Sequence, residues 1–296
     1  MGRRSWGIRP DDWQLTEDVD DFLARTGGFL RSRPVPHIAA LTAIMRLRAR
    51  GAAAYGPEPP LFGQLEDEGE VRAAFQRLPS HGLAPTPLTP RQAEALAAHL
   101  ADLGHRLPHV SAEDRTAAAF AEAWQRRTGA TPALRVRLRL HRLGTLTPPL
   151  PLAAGRARVV GEEDREHLMR WCAEFAADVG EAVTVDAGTW AGTRFADKSY
   201  TFWETPDGTP VSMAGANPMI AGVVQVDPVH TPAPLRGRGY AGAVTAEVRR
   251  AARAAGAQEV VLYTNAANPT SNALYRRLGY RPVVDWAVYD FAGAAR

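Results

Sequence analysis

The chain switches between two spacings of hydrophobic residues, and each switch marks a change of predicted element. In the first half, Val35 to Arg50 reads as helix and ends at the Gly/Pro-rich break Gly56 to Pro60. Leu61 to Leu65 and Val71 to Leu78 read as the arms of a hairpin around Glu66-Asp67-Glu68-Gly69-Glu70, an acidic cluster best explained as a solvated turn. Thr89-Pro90-Arg91-Gln92 opens a helix as N-cap, N1 proline and capping box, and Gly104 stops it. A further helix is expected from Ser111-Ala112-Glu113-Asp114 through Trp124 to Arg127. Arg135 to His141 alternates strictly, with Val136, Leu138 and Leu140 on one face and Arg135, Arg137, Arg139 and His141 on the other.

The second half predicts a strand at Arg156 to Val160, a helix at Glu162 to Ala177, and a hairpin of Ser199 to Glu204 with Thr209 to Ala214 turning through Pro206-Asp207-Gly208. Met219 to His230 reads as a long strand interrupted at Asp227-Pro228, where a proline without an N–H forces a bulge or opening. Tyr240 to Ala255 is amphipathic helix with Gly256 as its stop, and Glu259 to Thr264 is a buried strand. Asn268-Pro269 starts another helix, Gly279 ends it, and strands follow at Tyr280 to Val283 and Trp286 to Phe291. This predicts a mixed α/β fold with helices on the faces of a mixed sheet. Thr145 to Gly155, with prolines at 148, 149 and 151, reads as a linker, so two domains are expected, 1–147 and 148–296.

Composition narrows the function classes. The 296 residues carry 35 Lys plus Arg against 32 Asp plus Glu, a net charge of only +3 that does not point to nucleic acid. The Arg135–His141 face can be read as an anion-binding strip or as the wet side of a half-buried strand, and the second is preferred. Cys172 stands alone, which excludes a disulfide framework and a cysteine-based zinc site. His105 and His109 flank Pro108 and cannot share a helical face, so no metal is expected. Met1 to Asp12 contains Arg3, Arg4 and Arg9 without an apolar run behind them, and no apolar stretch reaches the roughly 18 residues of a membrane span. The expectation is a cytoplasmic protein with no membrane partner, monomeric or homodimeric.

Leu235-Arg236-Gly237-Arg238-Gly239-Tyr240-Ala241 joins the long strand to its helix. A helix start presents unpaired N–H groups and the positive end of the macrodipole, glycines admit close approach, and arginines add donors, so this loop suits a phosphate. It lacks the Gly-Lys-Ser/Thr ending of a P-loop and the third glycine of a dinucleotide fingerprint. The second motif, Asn268-Pro269-Thr270-Ser271-Asn272-Ala273-Leu274-Tyr275-Arg276-Arg277-Leu278-Gly279-Tyr280, follows the next strand. With the Arg-x-x-Gly-x-Ala of Arg236, Gly239 and Ala241, it resembles the acetyl-CoA signature of the GNAT acetyltransferases. Val229-His230-Thr231-Pro232 ahead of the loop makes the chain similar to a bacterial branch with a C-terminal GNAT domain behind a divergent N-terminal one.

The resemblance implies tandem GNAT-like domains, the N-terminal copy degenerate and without a cradle, the C-terminal copy functional. It implies acetyl-CoA as cosubstrate, pantetheine beside Val229, His230 and Thr231, and the diphosphate on Arg236, Gly237, Arg238, Gly239, Tyr240 and Ala241. Asn268 and Ser271 would contact the pantetheine arm. The Val229 N–H would polarise the thioester carbonyl, although Pro232 and Pro234 can shift that donor by a residue. Tyr275 would be the general acid. The implied reaction is direct acetyl transfer to the amine of a small molecule, without a covalent acyl-enzyme, and Cys172 is not expected as a nucleophile. Candidate bases are His230, Glu204 and Asp227, directly or through water. Trp190, Trp203 and Trp286 either wall an acceptor pocket or belong to the core. The alternative is a non-catalytic acyl-CoA sensor.

Overall fold

The computed structural model describes residues 13–55, 57–78, 82–180, 190 and 193–293. The basic segment Met1–Asp12 lies outside the described residues. The chain divides into two compact units, Met1–Arg139 with Val284–Arg296, and Leu140–Val283. The expected division at 147/148 is therefore corrected. The end of the chain belongs to the first unit because its strand pairs there, Trp286↔Glu113 through Asp290↔His109.

The first unit contains β1 (Gln14–Thr16), α1 (Val19–Ser32), α2 (Ile38–Arg50), β2 (Leu61–Asp67), β3 (Glu70–Leu78), β4 (Gly82–Pro85), α3 (Pro90–Asp102), β5 (His109–Glu113) and α4 (Asp114–Thr128). Most of β6 (Thr131–Leu143) and the end of β12 (Tyr280–Ala292) complete it. Its strands run β1-β2-β3-β4-β5-β12. The capping box at Thr89 and Gln92 forms as expected. The predicted helix start at Ser111 does not. Ser111 to Glu113 instead pairs with β12, and α4 begins at Asp114, because the ladder to Trp286–Val288 uses the backbone groups that a helix would need.

The arginine face of β6 is neutralised residue by residue. Arg135 forks onto Asp290, Arg137 Nε donates to Asp114 at 2.8 Å, and Arg139 Nε and Nη2 donate to Asp285 at 2.6 and 2.9 Å. It is the wet face of a strand.

The second unit contains the end of β6, β7 (Arg156–Val159), α5 (Arg165–Asp178), β8 (Ser199–Glu204), β9 (Pro210–Ala216), β10 (Val223–His230), α6 (Tyr240–Ala254), β11 (Glu259–Asn265), α7 (Pro269–Arg277) and the start of β12. Its strand order is β6-β11-β10-β9-β8-β7. Alternate β8 residues serve two cores: Tyr200 and Phe202 pack with Leu168, Trp171 and Cys172 of α5, while Trp203 packs with Val244 and Val248 of α6. Two expected boundaries move. Ile220 bridges Val223 around an Ala221-Gly222 turn, both residues at positive φ, so β10 starts at Val223 and not at Met219. Strands expected at 280–283 and 286–291 are one strand, β12, unbroken at Val284-Asp285.

Candidate active site at the open end of the second sheet

The site begins where β10 loses one neighbour. Val223, Val224 and Gln225 register in parallel with Glu259, Val260 and Val261 of β11. Among the described residues that register goes no further, although β10 continues to His230 and β11 to Asn265. On the other side, β10 pairs with β9 at Val226↔Ala216, slips one step, and resumes at Val229↔Ala214. The slip surrounds Asp227-Pro228, where the proline has no N–H for a ladder. Gly215 stands opposite; a Cβ there would lie 2.6 Å from the Asp227 carbonyl oxygen, so only glycine admits the slip.

The strand end is then pinned. Ser212 Oγ donates to the His230 carbonyl at 2.9 Å and shares a hydrogen bond with Thr231 Oγ1 at 2.8 Å. Beyond it the chain enters the Gly237–Gly239 turn, both glycines at positive φ (79° and 84°), and α6 starts. Gly239 is the N-cap, so no side chain caps α6, and no acidic residue lies in its first turn. The positive end of this helix is left to main-chain N–H groups.

Strand end, helix start and the second motif line one cavity of about 630 Å³. Of the expected site residues, Val229, His230, Thr231, Arg236, Gly237, Gly239, Tyr240, Ala241, Asn268, Ser271 and Tyr275 line it, joined by Phe175 and Asp178 of α5 and by Val179 just beyond it. Arg238 does not, and its Nη2 turns back to the Pro234 carbonyl at 3.4 Å. Arg236 does, and one edge of its guanidinium is engaged: Nε donates to the Thr231 carbonyl at 2.9 Å and Nη2 to Asp178 Oδ2 at 2.5 Å.

The three candidate bases separate cleanly. Glu204 is buried outside the cavity lining and bound to two arginines of β7: Arg158 Nε donates to it at 2.5 Å, and Arg156 Nε forms an ion pair with it at 3.5 Å. The β7–β8 register puts Arg156 directly opposite it. The carboxylate is committed to those arginines away from the cavity, and Glu204 is removed from the site. Asp227 is similarly committed, to Lys198 and to Arg194 Nη1 at 2.6 Å. Burial alone would raise its pKa, but the two cations outweigh it and hold the carboxyl well below the usual range.

His230 differs. It lines the cavity, and its ring is held by two acids of α5: Nε2 donates to Glu174 Oε2 at 3.1 Å, and Nδ1 stands 3.7 Å from Asp178 Oδ2. Burial pushes its pKa below 6.5, with Glu174 and Asp178 opposing, so the ring is neutral at pH 7. Asp178, near Nδ1, lines the cavity with His230, and Glu174 does not. With Glu174 accepting the hydrogen bond from Nε2–H, Nδ1 of the neutral ring keeps its lone pair.

Tyr275 is buried with its ring edge-on to Tyr280, centroids 5.7 Å apart. Burial lifts its hydroxyl well above the ordinary tyrosine pKa, so it remains a proton donor at all working pH. Its helix is anchored by a buried network that the sequence reading passed over. Asn272 Nδ2 donates to the carbonyls of Asn268, Asn265 and Ala266 at 2.7, 3.1 and 3.2 Å. Asn272 Oδ1 accepts from Thr264 Oγ1 at 2.8 Å, and His141 Nε2 lies 3.0 Å from that same hydroxyl. Asn268 spends its Oδ1 capping Ser271 N at 3.1 Å.

The tryptophans do not line the cavity: Trp203 lies in the α6 core, Trp190 packs near Tyr200, and Trp286 of the first unit donates to Ser111 Oγ at 2.8 Å. Cys172 is buried, its thiol pushed up to about 11 by burial. No group of three or more His, Cys, Asp or Glu side chains among the described residues could hold a metal, and no described helix is long and apolar enough to cross a membrane.

A sequence model of the acetyltransferase (GNAT) family matches residues 174–280, from the α5 acids to the end of the second motif. Residues 174–280 form a GNAT acyltransferase domain. The GNAT domain thus contains both motifs, the slipped strand, the cradle and Tyr275. Among solved structures, a GCN5-related N-acetyltransferase from Sphaerobacter thermophilus is 18% identical, with 95% of this chain and 96% of that one covered and a TM-score of 0.56. One from Kribbella flavida is 19% identical over 86% and 96%, with a TM-score of 0.51. A tandem GNAT protein from the clavulanic acid biosynthesis pathway is 14% identical over 96% and 100%, with a TM-score of 0.55. At these identities the likeness is one of fold, and it extends to both units. No curated protein matches the chain by sequence.

Proposed function

We propose that this GNAT domain transfers an acetyl group from acetyl-CoA to an amine of a small molecule, by direct attack on the thioester. One observation carries the reading: a single cavity joins an uncapped helix start, a strand end free of its parallel neighbour, a neutral histidine and a protonated tyrosine. The cavity's size and its cationic end suit an extended, diphosphate-bearing coenzyme. Bound there, acetyl-CoA supplies an activated acetyl group and a thiolate leaving group.

The chain's own residues do the rest. The main-chain N–H groups from Gly237 to Gly242 hold the diphosphate. The exposed side of Val226 to Thr231 takes the pantetheine arm, and the N–H near Val229 polarises the carbonyl. A lysine-like acceptor amine has a reference pKa near 10.4 and must lose a proton; His230 Nδ1 accepts it, with Glu174 holding the tautomer. As the C–S bond breaks, Tyr275 gives its proton to a sulfur whose thiol reference pKa is about 8.5. The first unit, which has no such cradle in its sequence, is read as the non-catalytic copy.

Release of free thiol from acetyl-CoA across an amine panel tests this. Turnover with at least one amine, falling about 100-fold or more in Tyr275→Phe at unchanged CoA affinity, is expected for a general acid. Tight CoA binding with no turnover on any amine would instead establish the sensor.

A further inference from the structure

Asp178 sits where the two halves of the GNAT site meet. It lies one helical turn beyond Glu174 on α5 and lines the cavity. A single oxygen, Oδ2, accepts from Arg236 Nη2 at 2.5 Å and stands 3.7 Å from His230 Nδ1, just beyond hydrogen-bond reach. The group nearest the cradle and the group best placed as a base therefore face the same carboxylate.

We propose that Asp178 is a positioning residue that links coenzyme binding to the readiness of His230: Arg236 exchanges Asp178 for the coenzyme's diphosphate, and the freed carboxylate accepts Nδ1–H as the ring takes a proton. The proposal rests on the reading of the cavity as the acetyl-CoA site. Among the described residues three charged groups face the ring: Glu174 and Asp178 from α5, and Arg236 from the loop after β10. Ser212 of β9 reaches only the His230 main chain. Glu174 is fixed on Nε2, so the variable part of the ring's environment is the Asp178–Arg236 pair. That pair is about half exposed on both sides, which makes it weak and easily exchanged. While the pair is closed, Asp178 occupies the Arg236 donor that would serve the diphosphate, and Arg236 disfavours a proton on His230. Exchange frees that donor for the diphosphate and leaves the Asp178 carboxylate to favour a proton on the ring. His230 is then readiest when the coenzyme is in place, which favours coenzyme before acceptor.

Calorimetry with CoA, together with an NMR titration of the His230 ring, tests the link. Asp178→Asn is expected to bind CoA roughly two- to fivefold more tightly than wild type, the range of an exposed ion pair. CoA should raise the His230 pKa by about half a unit or more in wild type and not in the variant. In an Arg236→Gln background, the same Asp178 substitution should no longer alter CoA affinity. Asp178→Ser gives the same readouts if the Asn form does not fold. A wild type that binds CoA while Asp178→Asn binds no more tightly, or shows the same His230 shift, overturns the inference. A wild type that gives no heat with CoA overturns the cavity reading first, and this inference with it.

Discussion

Replacing Asn272 by Ala is the most informative single perturbation of the site that leaves every reacting group in place. The amide donates two N–H groups among three carbonyls and accepts from the Thr264 hydroxyl, with His141 Nε2 also 3.3 Å from its oxygen, so at least three hydrogen bonds are lost. At about 1 kcal/mol net for each, the loss is about 3 kcal/mol before relaxation. Two abandoned carbonyls keep a main-chain partner, Asn265 O from Asn268 N at 3.0 Å and Asn268 O from Asn272 N at 3.1 Å. Thr264 keeps His141. The expected cost is therefore about 2–3 kcal/mol in urea denaturation. The same bonds seat the start of α7 against the end of β11, so acetyl-CoA affinity should fall as well, because Asn268 and Ser271 lie at that helix start and Tyr275 follows on the same helix. Asn272→Asp keeps the acceptor but sets a carboxylate against carbonyl oxygens. Its folded-state pKa is expected to be raised, so it should be most stable at low pH and lose stability as pH rises through that pKa. A cost under about 1 kcal/mol with unchanged coenzyme affinity in Asn272→Ala would refute the idea that this network positions the site.

Other perturbations have equally definite outcomes. Gly215→Ala forces a Cβ onto the Asp227 carbonyl oxygen and should cost about 1–3 kcal/mol by thermal shift while weakening CoA binding. Because burial depresses the His230 pKa, kcat/KM should be flat near pH 7 and fall about tenfold per pH unit only below the ordinary histidine range. The stability sign follows: the unfolded ring protonates before the folded one, so its contribution is present above about pH 6.5 and is lost on acidification through the folded pKa. Cys172, buried with its thiol pushed up to about 11, should resist an aromatic disulfide reagent at pH 8 until the protein unfolds.

Elements encoded within a few residues were readable. The capping box at Thr89, the hairpin turn at Glu68-Gly69 and the Asn268-Pro269 helix start need only local geometry, and all are present. The misread elements were decided by distant partners. Ser111-Ala112-Glu113 has the composition of a helix cap and became a strand because Trp286 to Val288 lies alongside it. Helix α1 was passed over because Gly27-Gly28 lowers its propensity, yet Asp18 caps it through the N–H groups of Asp20 and Asp21, and Phe22 stacks on Phe62 at 4.9 Å.

The active site divides along the same line. A phosphate cradle is made of consecutive main-chain groups, so glycines at 237 and 239 announce it. An acid–base pair is made of side chains brought together by folding, and its sequence signal is weak. Glu204 looked as available as His230 at the end of a strand, and only the register that sets Arg156 opposite, with Arg158 beside it, removes it. In the sequence Glu174 and Asp178 are two acids four apart, a spacing as common on the solvated face of an amphipathic helix as anywhere. Nothing near them in sequence says that a histidine 56 residues beyond Glu174 will meet both carboxylates. The slip at Asp227-Pro228 connects the two kinds of information. A local proline detaches the strand from its neighbour, and the strand end beyond it delivers His230 to α5. Under the proposed function that one kink opens the coenzyme slot and supplies the base, so variants of Gly215 should damage binding and the acid limb of the pH profile together.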